Sequence, residues 1–186
     1  KTRGFAAIQR VMVDSKAKTV RVTNPTYWLK AFMQKEFKAG SDKPITASIG
    51  KALGQLTATK DLLDEKDLAH YHYALSMPYY EDRLELKSGA ALAINPKKVA
   101  FTLKLANGST LVGVKMSKGS EKFIETIGEN NALALPYTVL IEDGKAYALH
   151  AKYYLAASYP LLSLGQFMKI SSTPDAIERK LKKSFK

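Results

Sequence analysis

Two dipeptides, Asn107-Gly108 and Asp143-Gly144, constrain this chain more than any other feature. Each stands between runs of aliphatic and β-branched residues, and each is a pair that accepts positive φ at both centres of a two-residue hairpin turn. The first joins VAFTLKL to TLVGVKM, and the second joins YTVLI to KAYAL. On the first arm Val99, Phe101, Leu103 and Leu105 alternate with Thr102 and Lys104, the period of a strand with one covered face. Leu111, Val112 and Val114 fall on both faces of the return arm, so that strand is expected to be covered on both sides. Pro136 stands just ahead of the third arm, where a missing N–H does the sheet least harm. Between the hairpins Ser120 reads as a helix cap, with Glu121 at the positive end. Phe123, Ile124 and Ile127 form the stripe of that helix, and Gly128 with Asn130-Asn131 ends it. Lys98 to Leu149 is therefore strand, strand, helix, strand, strand, a scaffold rich in core signals and poor in reactive groups.

The flanking segments add helices. Lys16 to Thr23 alternates as a strand, and the preceding GFAAIQRVMVD is apolar but of ambiguous type. Asn24 caps a helix with Pro25 at its first position, and Trp28, Leu29, Phe32, Met33 and Phe37 give it a broad apolar stripe. Ile45 to Leu56 reads as a second helix, with Ile45, Ile49, Ala52, Leu53 and Leu56 on one side and Gly50 and Gly54 weakening it. Ser88-Gly89 and Asn95-Pro96 bracket the segment Ala-Ala-Leu-Ala-Ile. A last helix starts at Pro174, capped by Thr173, with Arg179, Lys180, Lys182 and Lys183 near its negative end. The expected fold is α+β, a twisted, mainly antiparallel sheet built from hairpins and packed against several helices. At 186 residues this fits one domain over 1–186. Its parts are a strand and helices in 1–60, a core in 70–170 and a basic helix in 172–186.

Composition narrows function by exclusion. The chain has no cysteine, which removes disulfides, thiolate nucleophiles and Cys-ligated zinc or iron–sulfur clusters. The net charge of +12 suggests anionic partners, yet only Arg3, Arg10, Arg21, Arg83 and Arg179 are arginine among 29 basic residues. Lysine is a solvated point charge without the bidentate fork that reads bases, so specific nucleic-acid binding is not expected. No run reaches the roughly 18–20 apolar residues of a membrane helix. Tyr153 to Met168 carries no charge, but Pro160 and Gly165 interrupt it. It reads as two short buried helices, or as a surface through which residues 153–168 meet a second copy or another protein.

The densest chemistry lies in HYHYALSMPYYED, residues 70–82. In an extended segment His70 and His72 point to one face, so both imidazoles could serve one transition-metal ion. Met77 would add a soft ligand, Glu81 a hard one, and His150 would complete a three-histidine set if the fold brought it close. The bland reading is that these rings pack over the sheet with their polar tips at the surface. A third reading is an aromatic cleft for a small ligand, lined by Tyr71, Tyr73, Tyr79, Tyr80, Tyr153 and Tyr154. The chain contains no G-x-S-x-G, P-loop or G-x-G-x-x-G motif. The Glu81-Asp82 and Asp64-Glu65 pairs read as solvated faces.

The run MSKGSEKFIETIGENNALALPYTVLIEDGKAYAL, followed by KYYLAASYPL, resembles the domain of unknown function family 302. The matching features are the short helix Phe123 to Ile127, the Leu135-Pro136 step into a strand, the Glu142-Asp143-Gly144 turn, the return strand Lys145 to Leu149 and the Tyr153-Tyr154 helix start. The resemblance covers roughly residues 98–170. It implies a compact α+β domain with helices on one side of the sheet, an oligomer, and export from a bacterial cell, for instance to the periplasm. It implies no catalytic residues. The expectation is thus a non-enzymatic binding or accessory protein. The alternatives are a metal- or small-molecule-dependent protein or enzyme centred on His70, His72 and Met77, or a basic protein that binds anionic polymers.

Overall fold

The computed structural model describes residues 3–60, 62–89, 92–121 and 123–185. Ala90 and Ala91, in the Ala-Ala-Leu-Ala-Ile segment, lie outside the described residues. The fold is α+β, with two antiparallel sheets. The smaller is a hairpin of β1 (Val11–Asp14) and β2 (Thr19–Val22), whose turn is held by Asp14 Oδ1 accepting the N–H groups of Lys16 and Ala17 at 3.0 and 2.9 Å. The GFAAIQRVMVD segment thus divides into a short 3-10 turn at Gly4–Ala7 and the first strand.

The larger sheet has the order β3-β7-β6-β5-β4. Its strands are β3 (Leu84–Ser88), β4 (Val99–Lys104), β5 (Thr110–Val114), β6 (Tyr137–Glu142) and β7 (Lys145–Ala148). The two hairpins read from sequence are both present, joined through β5 and β6. As expected, β5 is covered on both faces: Leu111, Val112 and Val114 are all buried. The hairpin turns differ in chemistry. Asp143 and Gly144 both adopt positive φ, 51° and 70°, which matches the strand twist of a two-residue turn. At the first hairpin only Gly108 does so, with φ 87°. Asn107 instead turns its Oδ1 onto the Ser109 N–H and hydroxyl at 3.1 and 2.7 Å, and this local bonding replaces the two-residue turn with a longer loop. Strand β3 was not foreseen. It has only five residues and one buried position, Leu86, too short a pattern to stand out beside the aromatic segment before it.

The helices correct four boundary expectations. Between the hairpins lie α4 (Lys118–Glu121) and α5 (Phe123–Ile127), and Ser120 sits inside α4 rather than before it. Its hydroxyl accepts the Ser117 N–H at 3.0 Å and donates to the Ser117 carbonyl at 2.9 Å, bracing the entry from within. Gly128, with φ 95°, ends α5 as expected. Helix α1 (Pro25–Met33) is capped by Asn24, whose Oδ1 accepts the Tyr27 N–H at 3.2 Å, but it stops before Phe37 because Gln34 takes a φ of 50°. Helix α2 (Lys43–Leu53) ends at Gly54, φ 82°, so Leu56 lies beyond it; none of its residues is buried. A one-turn α3 (Glu65–Leu68) follows, with Asp64 at its cap. The C-terminal half supplies α6 (Ala151–Ser158), α7 (Leu164–Lys169) and α8 (Thr173–Lys182). Thr173 is the first residue of α8 and is buried, while Ser172 occupies the cap position without a side-chain bond.

One hydrophobic core takes residues from Phe5 to Leu181. Tyrosine hydroxyls stitch it across long sequence separations. Tyr27 donates to the Ala157 carbonyl at 2.7 Å, Tyr137 to Leu149 at 2.7 Å, Tyr154 to Ala134 at 2.8 Å and Tyr153 to Ala31 at 3.3 Å. Each bond gives a buried hydroxyl a partner, which offsets the cost of taking the polar tip of the ring out of water. A buried ion pair, Arg83 to Glu142 at 2.8 Å, ties the entry of β3 to the end of β6, with the Arg83 guanidinium 4.6 Å from the Tyr147 ring centre.

Candidate functional site

Residues 70–82 do not form a regular element. They run as an aromatic loop between α3 and β3, turning at Ala74–Met77 and again at Tyr79–Asp82. Asp82 Oδ2 accepts the Tyr79 N–H at 2.9 Å, which fixes the second turn. The His70 imidazole stacks on the Tyr79 ring at a centroid distance of 4.5 Å, and the His72 imidazole packs against it, tilted by 31°, at 4.4 Å. Tyr79 is thereby held as a wall rather than left as a mobile side chain. Ser76 has a φ of 69°, a left-handed conformation that a non-glycine residue rarely adopts.

Opposite this loop stands the start of α6. His150 is its N-cap: Nδ1 accepts the Lys152 N–H at 3.2 Å, so the proton of the neutral ring resides on Nε2. Burial, then the Lys152 ammonium, holds the His150 pKa below its ordinary value; Glu178, Asp82 and Asp175 pull weakly the other way. The ring is therefore neutral at pH 7 and offers one N–H donor.

The two segments face each other across a cleft of about 410 Å³, lined by His72, Leu75, Ser76, Met77, Pro78, Tyr79, Asp82, His150 and Lys152. It combines one cation, one carboxylate, two imidazoles, an alcohol, a phenol and an apolar patch. The Nδ1 atom of His72 is buried and makes no hydrogen bond within the chain.

The structure sorts the expected residues into two sets. His72, Met77, Tyr79 and His150 meet in the cleft, and His70 supports it through Tyr79. The other tyrosines are core. Tyr71, Tyr80, Tyr153 and Tyr154 are buried, with Tyr153 and Tyr154 committed to carbonyls, so they do not line a ligand cleft. Burial pushes the phenols of Tyr71 and Tyr80 up to about 12. Tyr73 is half-buried, stacked on Phe167 at 4.9 Å and bonded to the Leu162 carbonyl. The aromatic cleft of six tyrosines is thus reduced to Tyr79, because rings of that size close the core between the loop, α1 and α6. Among the described residues, no group of three or more His, Asp or Glu side chains stands close enough to hold a metal ion.

Asp82 and Lys152 are the residues that sequence reasoning passed over. Glu81 and Asp82 part company: Glu81 turns to Arg3 at 3.4 Å, and Asp82 turns into the cleft. The only signal was spacing, Asp three residues after the aromatic whose N–H it accepts, and Lys two residues after a capping His. Residues 153–168 divide likewise. Tyr153 to Ala157 are interior, while Leu161, Leu164 and Met168 are exposed at 68%, 65% and 61%. The exposed large apolar side chains of this segment are thus confined to residues 161–168. Among the described residues, no helix is long and apolar enough to cross a membrane.

Compared with protein-family models, with curated proteins and with solved structures, the chain matches none.

Proposed function

We propose that this chain is a non-enzymatic binding protein whose ligand is a small polar molecule held between Tyr79 and the start of α6. The observation that carries the reading is the convergence of His72, Tyr79, Asp82, His150 and Lys152, from two segments some seventy residues apart, on one open cleft. Lys152, the His150 Nε2–H and the positive end of α6 favour an anionic group on the ligand. Asp82 favours a donor or cation at the other end, and the Tyr79 face with Met77 and Pro78 favours an apolar middle. An amino acid or a similar zwitterion has these three parts. The resemblance of residues 98–170 to an exported family supports placement outside the cytoplasm. The exposed Leu161, Leu164 and Met168 support contact with a second copy or a partner protein.

The test is amide NMR titration with glycine, leucine, acetate and phosphate in parallel. The expected result is saturable shifts at Ser76, Tyr79 and Lys152 with leucine, lost in Lys152→Glu and in Tyr79→Ala. Shifts scattered over surface lysines, or none with any of the four probes, refute the reading. Size-exclusion with light scattering checks assembly, and a Leu161→Ser/Leu164→Ser variant with unchanged mass counts against that face.

A further inference from the structure

Helix α2 is amphipathic, yet little of the protein lies beneath its apolar side. Ile45 packs against the core and Asp42 accepts the Thr26 hydroxyl, so the helix is anchored at its N-terminal end. Beyond that end Ile49, Ala52 and Leu53 follow at helical spacing, and none is buried. Leu53 is 41% exposed, and Leu56, just past the Gly54 cap, is 45% exposed. A methyl group added at Gly50 or Gly54 would meet nothing within 4 Å. An isolated helix of this length is marginal in water, so an apolar stripe left open is informative about what it meets.

Charge identifies the occupant. By helical period Lys43 and Lys51 stand on the side opposite the apolar stripe, and Lys60 follows on the exposed chain. From Lys43 through Lys60 there is no carboxylate; Asp42 stands just before that stretch, at the anchored end of the helix. Protein interfaces deplete lysine, whereas anionic headgroups attract it, and an apolar stripe beneath a lysine-bearing polar face is the pattern of a helix lying in a bilayer interface. We infer that α2 docks face-down on an anionic membrane surface. Ile49, Leu53 and Leu56 enter the acyl boundary, and the long stems of Lys43, Lys51 and Lys60 carry their ammonium groups to the headgroups. This mode is peripheral and reversible, and it is independent of the cleft.

The experiment is sedimentation of the full chain with vesicles of phosphatidylserine and phosphatidylcholine in equal parts, beside vesicles of phosphatidylcholine alone. The chain is expected to bind the first far better than the second and to release with salt. Lys51→Gln should weaken binding roughly fivefold. The Leu53→Ser/Leu56→Ser variant keeps every charge and alters only exposed positions, so it should fold normally and bind roughly tenfold more weakly. Lys104→Gln, an equal charge change on edge strand β4, should weaken binding less than Lys51→Gln. Equal binding by the double leucine variant and the parent would overturn the inference, because net charge alone would then explain the attraction. An oligomer in vesicle-free solution that the double variant dissolves would also overturn it, assigning the face to a second copy.

Discussion

His150 joins the fold to the cleft through one atom, and replacing it separates the two roles. Its Nδ1 can accept the Lys152 N–H only while that nitrogen carries no proton. Removing the acceptor with His150→Ala deletes an N-cap, a loss of about 1 kcal/mol. For a chain of this size that corresponds to a melting temperature lower by about 2–4 °C. His150→Asn restores an acceptor of similar reach without a titrating group and should melt close to the parent at pH 8. The pH dependence then distinguishes them. Because burial and Lys152 lower the folded pKa, the unfolded chain takes up the proton first as pH falls. The stability this provides is complete above the unfolded value of about 6.5 and is lost as pH drops from there through the folded pKa. The parent should therefore lose stability relative to His150→Asn below about pH 6.5. Urea denaturation followed by circular dichroism at pH 8 and pH 5 reads both effects. A parent-to-Asn difference that is flat with pH, or that grows in the parent's favour on acidification, refutes the assignment of the cap.

Other perturbations test the scaffold. A methyl group at Gly113 would stand 2.3 Å from the Phe101 ring, so Gly113→Ala must displace that ring from its place across β4 and β5, at about 1–3 kcal/mol in urea midpoint measurements. Tyr137→Phe strands the buried Leu149 carbonyl and should cost about 1–3 kcal/mol, with the far-ultraviolet spectrum unchanged. Arg83→Leu leaves Glu142 without that ion-pair partner in a site where both side chains are under 8% exposed, for which about 3–5 kcal/mol is expected. Burial raises the phenol pKa of Tyr71, Tyr80, Tyr137, Tyr153, Tyr154 and Tyr159. The unfolded chain would release those protons first, so stability should fall as pH rises through about 10, and ultraviolet titration should show these rings ionising together with unfolding.

Much of the sheet was legible because its signals are local. Asp143-Gly144 determines its own turn, and the run from Leu111 to Val114 announces a strand buried on both faces whatever lies around it. Where a side chain had a competing local bond, reading by type failed. Asn107 spends its amide on Ser109, and Ser120 braces its helix from inside. The site was half legible for a different reason. His72, Met77 and His150 stand out in the sequence as reactive types, and they line one cleft, but the tyrosines beside them look the same in sequence whether they face a ligand or the core. Tyr79 and Tyr80 are adjacent, and only the strand that follows decides which turns inward. Asp82 and Lys152 matter through the turn and the cap they complete, and neither signal rises above background until the loop and α6 are seen face to face.

The interior tyrosines have an optical consequence. The chain has a single tryptophan, Trp28, and its ring centre lies 5.4 Å from Tyr27, 4.9 Å from Phe32 and 6.0 Å from Tyr154. Light absorbed by those phenols passes to one indole at the junction of α1 and α6. Its emission is thus a gauge of whether the N-terminal helix remains seated on the C-terminal half.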